Sequence, residues 1–310
     1  MLKSPLLRRM VIALLLVAVA VAVQDGCAKP RKKKKKKKPY IPTAEEISKW
    51  RNRLRNTDFN MVTIPAGQYK LGDNNFKGNP ARLVKLEAPF KIDRFEVTNE
   101  DWFLFLWATK GSEQYFAAPP VVMGDYNTDK WIQGSKYFEY DRANRAKNPI
   151  RAIGYHEAET FCKYVKKRLP TAVEWEIAAR GPEGRKYPWG NTYTRADWKT
   201  RAQTSFMMGT SRSSEVYVHD TVPVDKLKGG QSFFGCFNMA GNVSEWTTST
   251  EKTRMEVWKK RPRSERPEAQ IVKGGNFASR QVGALSAQFF SPLASTATDM
   301  FRVGFRGARD

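Results

Sequence analysis

The stretches IVKGGNFASR, from Ile271 to Arg280, and FRVGFRGARD, from Phe301 to Asp310, carry most of the information about the fold. The first contains a Gly274–Gly275 pair, which favours a turn because glycine readily adopts left-handed backbone angles. Five further motifs precede them in the chain: MVTIPAGQYKLG (Met61 to Gly72), DRFEVTN (Asp93 to Asn99), KRLPTAVEWEIAARG (Lys167 to Gly181), YPWGN (Tyr187 to Asn191) and FNMAGNVSEWT (Phe237 to Thr247).

In this order, the motifs resemble the formylglycine-generating enzyme family, also called the sulfatase-modifying factor family. Any one of them alone, such as YPWGN, is a weak signal, whereas the ordered set is specific. The resemblance implies an α+β, C-type-lectin-like fold for residues 58–310, with short strands, a few helices and long packed loops.

The resemblance also implies two redox cysteines, five residues apart, after the glycine pair. Their positions are occupied here by Ser279 and Ala284. Neither residue supplies the thiolate sulfur that copper binding and disulfide exchange both need. With Asn276, and with Ser244 where the oxidases usually carry a tryptophan, they form a set of degenerate active-site positions. We therefore expect no copper and no catalytic residues.

A calcium site is implied by the segment from Asn238 to Glu245. The matching ligands are the Asn238 side chain, the Gly241 and Val243 carbonyls and the Glu245 carboxylate, all oxygen donors suited to a hard cation. Alternatively, the segment is a tight turn in which Glu245 caps a helix or pairs with an arginine. The resemblance suggests a second calcium site that involves Asp197.

The remaining cysteines and histidines indicate no catalytic centre. In the oxidases, a cysteine at the position of Cys162 pairs with one at the position of Gly307, so we expect Cys162 to be a buried free thiol. Cys236 has no metal-ligand spacing partner. His156 and His219, the two histidines of the chain, are interpreted as helix-start or surface residues.

The N-terminus predicts export from the cytoplasm. A basic segment with Lys3, Arg8 and Arg9 precedes an apolar run of residues 10–23, which is too short to cross a bilayer as a helix and matches a secretory signal. Residues 1–27 are read as a lipoprotein signal ending at Cys27, the expected lipidation site. An uncleaved anchor, or a signal peptide cut near Ala22, remains the alternative. The expected location is the bacterial envelope, at the outer membrane or in the periplasm.

Much of the net charge of +23 belongs to this end of the chain. Residues 1–38 contain 12 Lys or Arg against one Asp, and residues 39–310 contain 42 basic and 30 acidic side chains. Residues 28–42 are therefore predicted to be a solvated, lysine-rich tether, which spaces the domain from the membrane or rests on anionic headgroups. Export argues against a nucleic-acid partner.

Local patterns predict the main elements. Capping boxes, each a Thr followed three residues later by an acidic side chain, begin a lead-in helix in residues 43–57, a helix after Thr98 and a helix from Thr171 to Gly181. An amphipathic pattern predicts a helix from His156 to Lys167. The residues from Val62 to Gly72 predict a hairpin strand, and those from Glu251 to Gln270 an exposed insertion.

Together these features predict a non-catalytic, lipid-anchored envelope protein that binds a partner, either an envelope protein assembly, such as a secretion or motility machine, or a cell-wall glycan. The alternative is a formylglycine-generating oxidase that acts on sulfatase cysteines. Phe289 and Phe290, in the variable stretch before the C-terminal motif, mark the expected recognition loop. Arg180, Arg302 and Arg306 line a polar pocket or hold loop carbonyls.

Overall fold

The computed structural model describes residues 42–56, 60–75, 79–109, 145–194, 201–202, 221–252, 262, 264, 268–277, 279 and 302–310. All of them belong to one compact unit, Ile41–Asp310. The predicted signal, Cys27, and the tether up to residue 41 lie outside the described residues. Among the described helices, none has the length and apolar character that a membrane crossing requires.

The described elements are short and alternate between helix and strand. The helices are α1 (Ala44–Arg55), α2 (Asn99–Thr109), α3 (Tyr155–Tyr164) and α4 (Ala172–Arg180). The strands are β1 (Met61–Ile64), β2 (Gly67–Leu71), β3 (Arg82–Leu86), β4 (Phe90–Asp93), β5 (Ser244–Lys252), β6 (Glu268–Lys273), β7 (Val303–Gly304) and β8 (Ala308–Arg309).

These strands form three small sheets, with the orders β1-β4-β8, β2-β3 and β6-β5-β7. The prediction of one hairpin strand from Val62 to Gly72 was wrong, because the segment supplies two strands to different sheets. β1 pairs with β4, and β2 pairs with β3. β1 ends before Pro65, and β2 begins at Gly67, which has a φ of 156°. Pairing with distant strands thus overrides the local hairpin signal.

The three capping boxes form as predicted. Thr43 Oγ1 accepts a hydrogen bond from the Glu46 N–H at 3.1 Å, and Thr171 Oγ1 accepts one from the Glu174 N–H at 3.1 Å. At α2, Asp101 N–H donates to Thr98 Oγ1 at 3.1 Å. Each box satisfies N–H groups that a helix leaves without an intrahelical partner, so these helix starts follow from local sequence.

The helix predicted from His156 to Lys167 ends earlier, at Tyr164. Lys166 has a positive φ of 59°, a backbone conformation that cannot continue a right-handed helix. The chain turns there because the Lys167 N–H donates to the Cys162 carbonyl at 2.7 Å, and Arg168 then bridges to Ala308 near the C-terminus. The apolar stripe remains buried, including Val165 beyond the helix.

Two large buried clusters form most of the core of the described residues, beside a small third one around Tyr187 and Ala240. One is mainly aromatic and joins α1, α2 and α3 to Trp246 and Phe305. The other packs α4 against β1, β2 and β4, and includes Cys236 and Met239. The loop that connects Met239 to Trp246 therefore runs from one cluster to the other, so its backbone is held at both ends.

The predicted exposed insertion from Glu251 to Gln270 was given bounds that are too wide, because its first and last residues belong to strands. Both of its ends are strand residues, since Glu251 pairs with Ala269 and Thr250 with Gln270 across β5 and β6. Ala269 is buried. Hydrogen bonding across the ladder therefore recruits these charged stretches, which have little strand character of their own.

Candidate functional site

The segment predicted to hold calcium forms a tight loop before β5. Asn238, Gly241 and Asn242 all have left-handed backbone angles, with φ values of 55°, 95° and 63°. Glycine and asparagine adopt this conformation at the least cost. The Gly241 N–H donates to the Gly274 carbonyl at 2.9 Å, and the Phe277 N–H donates to the Asn242 carbonyl at 2.9 Å. The loop is thereby joined to the glycine turn that opens IVKGGNFASR.

Glu245, the predicted carboxylate ligand, is fully buried and paired with Arg306. Its Oε1 accepts from Arg306 Nη2 at 2.7 Å, and its Oε2 accepts from Arg306 Nε at 2.6 Å and from Trp175 Nε1 at 2.8 Å. Burial opposes the charge of Arg306, but the Glu245 carboxylate raises the pKa of Arg306 above its ordinary value. The alternative interpretation from the sequence, in which Glu245 pairs with an arginine, is therefore confirmed by the contact with Arg306.

A second buried carboxylate, Glu96, completes the cluster. Asn238 Nδ2 donates to Glu96 Oε2 at 2.8 Å, and Asn242 Nδ2 donates to Glu96 Oε1 at 2.9 Å. Burial raises the pKa of Glu96 to about 7, and Arg306 opposes this shift. Sequence reasoning did not assign Glu96 to the site, although DRFEVTN contains it. Glu96 could not be assigned from local sequence, because it meets Asn238 only in the tertiary fold, across 142 residues.

One oxygen atom of this loop has no hydrogen-bond donor among the described residues and has the chemistry of a calcium ligand. Asn238 Oδ1 is buried and has no hydrogen-bond partner in the described part of the chain. A buried acceptor without a donor costs free energy, which a cation ligated there recovers. A carboxylate offers about four lone-pair positions, and the Arg306 and Trp175 contacts of Glu245 take three of them. Asn238, the Gly241 and Val243 carbonyls and Glu245 would hold the ion.

The degenerate active-site positions form a hydrogen-bonded cluster of their own. Asn276 Nδ2 donates to Ser244 Oγ at 3.1 Å, and the Asn276 N–H donates to Ser279 Oγ at 3.0 Å. The Ser279 N–H returns a bond to the Asn276 carbonyl at 2.9 Å. Ser279 thus closes a local turn at the position of the first family cysteine. Ala284, Phe289 and Phe290 lie outside the described residues.

Both described cysteines are free and buried, as predicted for Cys162. Burial raises the pKa of the Cys162 thiol, and the nearby Asp93 carboxylate adds to this shift. Burial also raises the pKa of Cys236 to about 11. Gly307 lies against the Asp93–Lys167 ion pair, and a Cβ at this position would approach Asp93 Oδ2 to 2.7 Å. Neither thiol has the lowered pKa of a reactive cysteine.

Two of the three arginine candidates, Arg180 and Arg306, hold backbone carbonyls. Arg306 donates to the carbonyls of Asp93, Arg94 and Phe237 at 2.8 to 3.1 Å, and Arg180 holds loop carbonyls in the same way. The loop-carbonyl interpretation is confirmed for these two arginines. His156 lies in the first turn of α3. His219 and Asp197 lie outside the described residues.

Comparisons with known proteins agree with this arrangement of motifs. Residues 47–310 match the family model described as the sulfatase-modifying factor enzyme 1-like domain. The chain therefore belongs to the formylglycine-generating enzyme family.

The relatives that are similar to this chain include proteins named as formylglycine-generating enzymes and proteins named as inactive ones. The inactive C-alpha-formylglycine-generating enzyme 2 of Bos taurus is 29% identical over 228 residues, which cover 65% of this chain and 74% of the relative. The formylglycine-generating enzyme of Thermomonospora curvata is 29% identical over 265 residues, covering 70% of this chain and 82% of the relative.

Solved structures support the fold. Treponema denticola variable protein 1 has a TM-score of 0.52 at 22% identity, covering 80% of this chain and 94% of the other. PvdO from Pseudomonas aeruginosa has a TM-score of 0.52 at 20% identity, covering 81% of this chain and 94% of the other. The predicted α+β, C-type-lectin-like fold is confirmed.

Proposed function

We propose that this protein is a non-catalytic member of the family, which uses its domain to bind an envelope protein assembly or a cell-wall glycan. The observation that carries the proposal is the chemistry of the two family cysteine positions. Ser279 and Ala284 hold no sulfur, and the Ser279 hydroxyl accepts a hydrogen bond from the Asn276 backbone at 3.0 Å. A hydroxyl does not replace a thiolate as a copper ligand or in disulfide exchange.

The proposal includes attachment to the envelope through a lipid on Cys27. It rests on the order of basic segment, apolar run and cysteine in residues 1–27, followed by the lysine-rich tether. The partner is proposed to contact the variable stretch that contains Phe289 and Phe290. Two relatives whose names describe an inactive enzyme are similar to this chain, which is consistent with a scaffold that persists without its catalytic activity.

The absence of oxidase activity is the direct test. Wild-type protein incubated with Cu(I), oxygen and a sulfatase-type cysteine peptide should form no aldehyde, measured by mass spectrometry of the peptide. The Thermomonospora curvata enzyme serves as the positive control under the same conditions. Aldehyde made by the wild type would establish the alternative, an oxidase that acts without either family cysteine.

Placing cysteines at both family positions tests whether the surrounding residues still allow copper to bind there. We expect the double variant Ser279→Cys with Ala284→Cys to gain Cu(I) binding, measured by competition with a coloured chelator, because two thiolates at the family spacing favour this soft ion. Each single variant is the matched control and should bind Cu(I) more weakly. Tight Cu(I) binding by the wild type would contradict the proposal.

We also propose that calcium binds at Asn238, Gly241, Val243 and Glu245. A ligand that binds only the folded state stabilises it by about 2.7 kcal/mol at a hundredfold excess over Kd. Chelation should therefore lower the melting temperature of the wild type. Asn238→Gly removes the buried side-chain oxygen but permits the left-handed φ of 55°, so this variant should lose the response.

The matched control for this prediction is Asn60→Gly. Asn60 has a similar left-handed φ of 57° but is exposed and lies outside the loop. This variant should keep the response to chelation. Identical melting curves of the wild type with calcium and with chelator would show that the loop holds no ion.

A further inference from the structure

A cavity of about 230 Å³ lies between the C-terminal end of α1, the start of α2 and the end of α3. It is separate from the cluster around Asn276 and Ser279, none of whose residues line it. An engineered protein cavity of about 150 Å³ holds benzene, whereas pockets for drug-sized ligands begin at about 300 Å³. The available space therefore suits a ligand of amino-acid size.

The walls of this cavity combine apolar and charged groups. Leu54, Phe161, Val165 and Val224 supply apolar surface, together with Phe95. Five carboxylates line it: Asp93, Glu96, Glu100, Asp101 and Asp225. Three cations line it as well: Arg53, Lys147 and Lys167. The excess of carboxylates over cations in the lining favours a ligand with a positive group, and the cations favour a ligand that also carries a hydrogen-bond acceptor.

Two of these groups have capacity for a ligand. The Lys167 side chain is 4% exposed, and its Nζ donates to Asp93 Oδ1 at 2.6 Å. An ammonium has three donors, and Asp93 is the one acceptor of Lys167 Nζ in the described part of the chain. A buried ammonium with donors left over favours a ligand oxygen.

Glu100 supplies the complementary group. It is half-buried in the first turn of α2, and no cation of the described residues lies within ion-pair distance of it. The other carboxylates are engaged: Asp101 accepts from Trp50 and Arg53, Glu96 from two asparagines, and Asp225 lies 3.7 Å from Lys147. A ligand ammonium therefore finds its partner at Glu100.

We propose that this cavity binds an aliphatic residue with a free α-ammonium group next to a carbonyl oxygen. The ammonium pairs with Glu100, the oxygen accepts from Lys167, and the side chain packs on the apolar wall formed by Leu54 and Val165. A free amino acid and the N-terminus of a peptide share this chemistry. The site does not depend on the proposed non-catalytic role.

The test is calorimetric titration of the full chain with L-leucine, at saturating calcium so that the loop at Asn238 is in a single state. Two probes each lack one charged group: isoamylamine has no carboxylate, and 4-methylpentanoate has no ammonium. We expect leucine to bind with a Kd of about 1 mM or below, and each probe to bind about tenfold more weakly because one charged hydrogen bond is lost. Leucylglycine tests the peptide source: tighter binding than leucine would assign the site to a peptide N-terminus, and weaker binding to the free amino acid.

Two variants test the assigned residues. Glu100→Gln should weaken leucine binding by about tenfold, and Leu54→Trp should abolish it by filling the space. Glu45→Gln, at an exposed carboxylate of α1 outside the cavity, should leave binding unchanged. The proposal is overturned if folded wild type shows no binding up to about 20 mM leucine, if isoamylamine binds as tightly as leucine, or if Glu100→Gln binds like the wild type.

Discussion

Arg306→Met is expected to destabilise the protein by about 3 to 5 kcal/mol, because it leaves a buried carboxylate without its charged partner. Arg306 and Glu245 are both 0% exposed and form a bidentate pair. The same guanidinium donates to the Asp93, Arg94 and Phe237 carbonyls, which also lose their donor. Since small domains have unfolding free energies of about 5 to 15 kcal/mol, this loss is a large fraction of the total.

The measurement is urea unfolding of Arg306→Met beside a surface control. Lys49→Met removes a pair whose partners are 76% and 75% exposed, and it should change the unfolding free energy by less than about 1 kcal/mol. A double variant, Arg306→Met with Glu245→Leu, should recover part of the loss, because it also removes the carboxylate that lost its bidentate partner. An effect of Arg306→Met no larger than that of Lys49→Met would show that water or another cation compensates Glu245.

The helix starts were predictable from sequence because each depends on residues three positions apart. Thr43 and Glu46, Thr98 and Asp101, and Thr171 and Glu174 satisfy one another locally, so no distant contact is needed. The ends of elements were less predictable. α3 stops at Tyr164 because the Lys167 N–H bonds to the Cys162 carbonyl and Arg168 then pairs with Ala308 of β8, 140 positions further along the chain.

The candidate site shows the same division. The donor spacing from Asn238 to Glu245 can be read from the sequence, and so can the left-handed tendency of its asparagines. Glu96 and Trp175 were not assigned to it, because each reaches the loop from an element distant in sequence, 142 residues away for Glu96 and 70 for Trp175. Sequence pattern thus identifies the loop, whereas the packing of the clusters determines which charges meet there.

The buried ion-pair residues and the family cysteine positions lie in different parts of the site. Trp175, Glu245 and Arg306 form one buried hydrogen-bonded group. Glu96 lies close enough to interact electrostatically with Arg306 and accepts hydrogen bonds from Asn238 and Asn242. The cysteine positions lie in IVKGGNFASR and the stretch beyond it, where Ser279 closes a turn with Asn276. Among the described residues, the Glu245–Arg306 pair makes no hydrogen bond to Ser279, so the buried ion pair forms with a serine at the first family cysteine position.

Glu176 forms the second buried charge network, and Glu176→Leu is expected to cost about 3 to 5 kcal/mol. Its carboxylate accepts from Lys273 Nζ at 2.9 Å, from Arg180 Nη1 at 2.7 Å and from the Gly72 N–H at 2.7 Å. Asn79 Nδ2 adds a fourth bond at 2.8 Å. Burial works against the ionised form of Glu176, but Lys273 and these donors hold its pKa below the ordinary value.

The two variants of this network are expected to differ in how much they lower the free energy of unfolding. Lys273→Met should cost less than Glu176→Leu, because Glu176 keeps Arg180, Gly72 and Asn79 when Lys273 is removed. Removing Glu176 instead takes the carboxylate from two buried cations at once. Lys70→Met, in a pair whose partners are 64% and 73% exposed, is the control and should change stability by less than about 1 kcal/mol.

The destabilisation by Glu176→Leu should also depend on pH. Burial lowers the pKa of Lys273, and Glu176 opposes this shift in the wild type, so the variant should lower that pKa further. The folded variant then binds fewer protons than its unfolded chain, and its stability rises with pH. Urea unfolding at about pH 6 and about pH 9 should show a smaller deficit relative to the wild type at the higher pH. A deficit that stays constant, or grows, would mean that Lys273 remains charged in the variant and has found another anion.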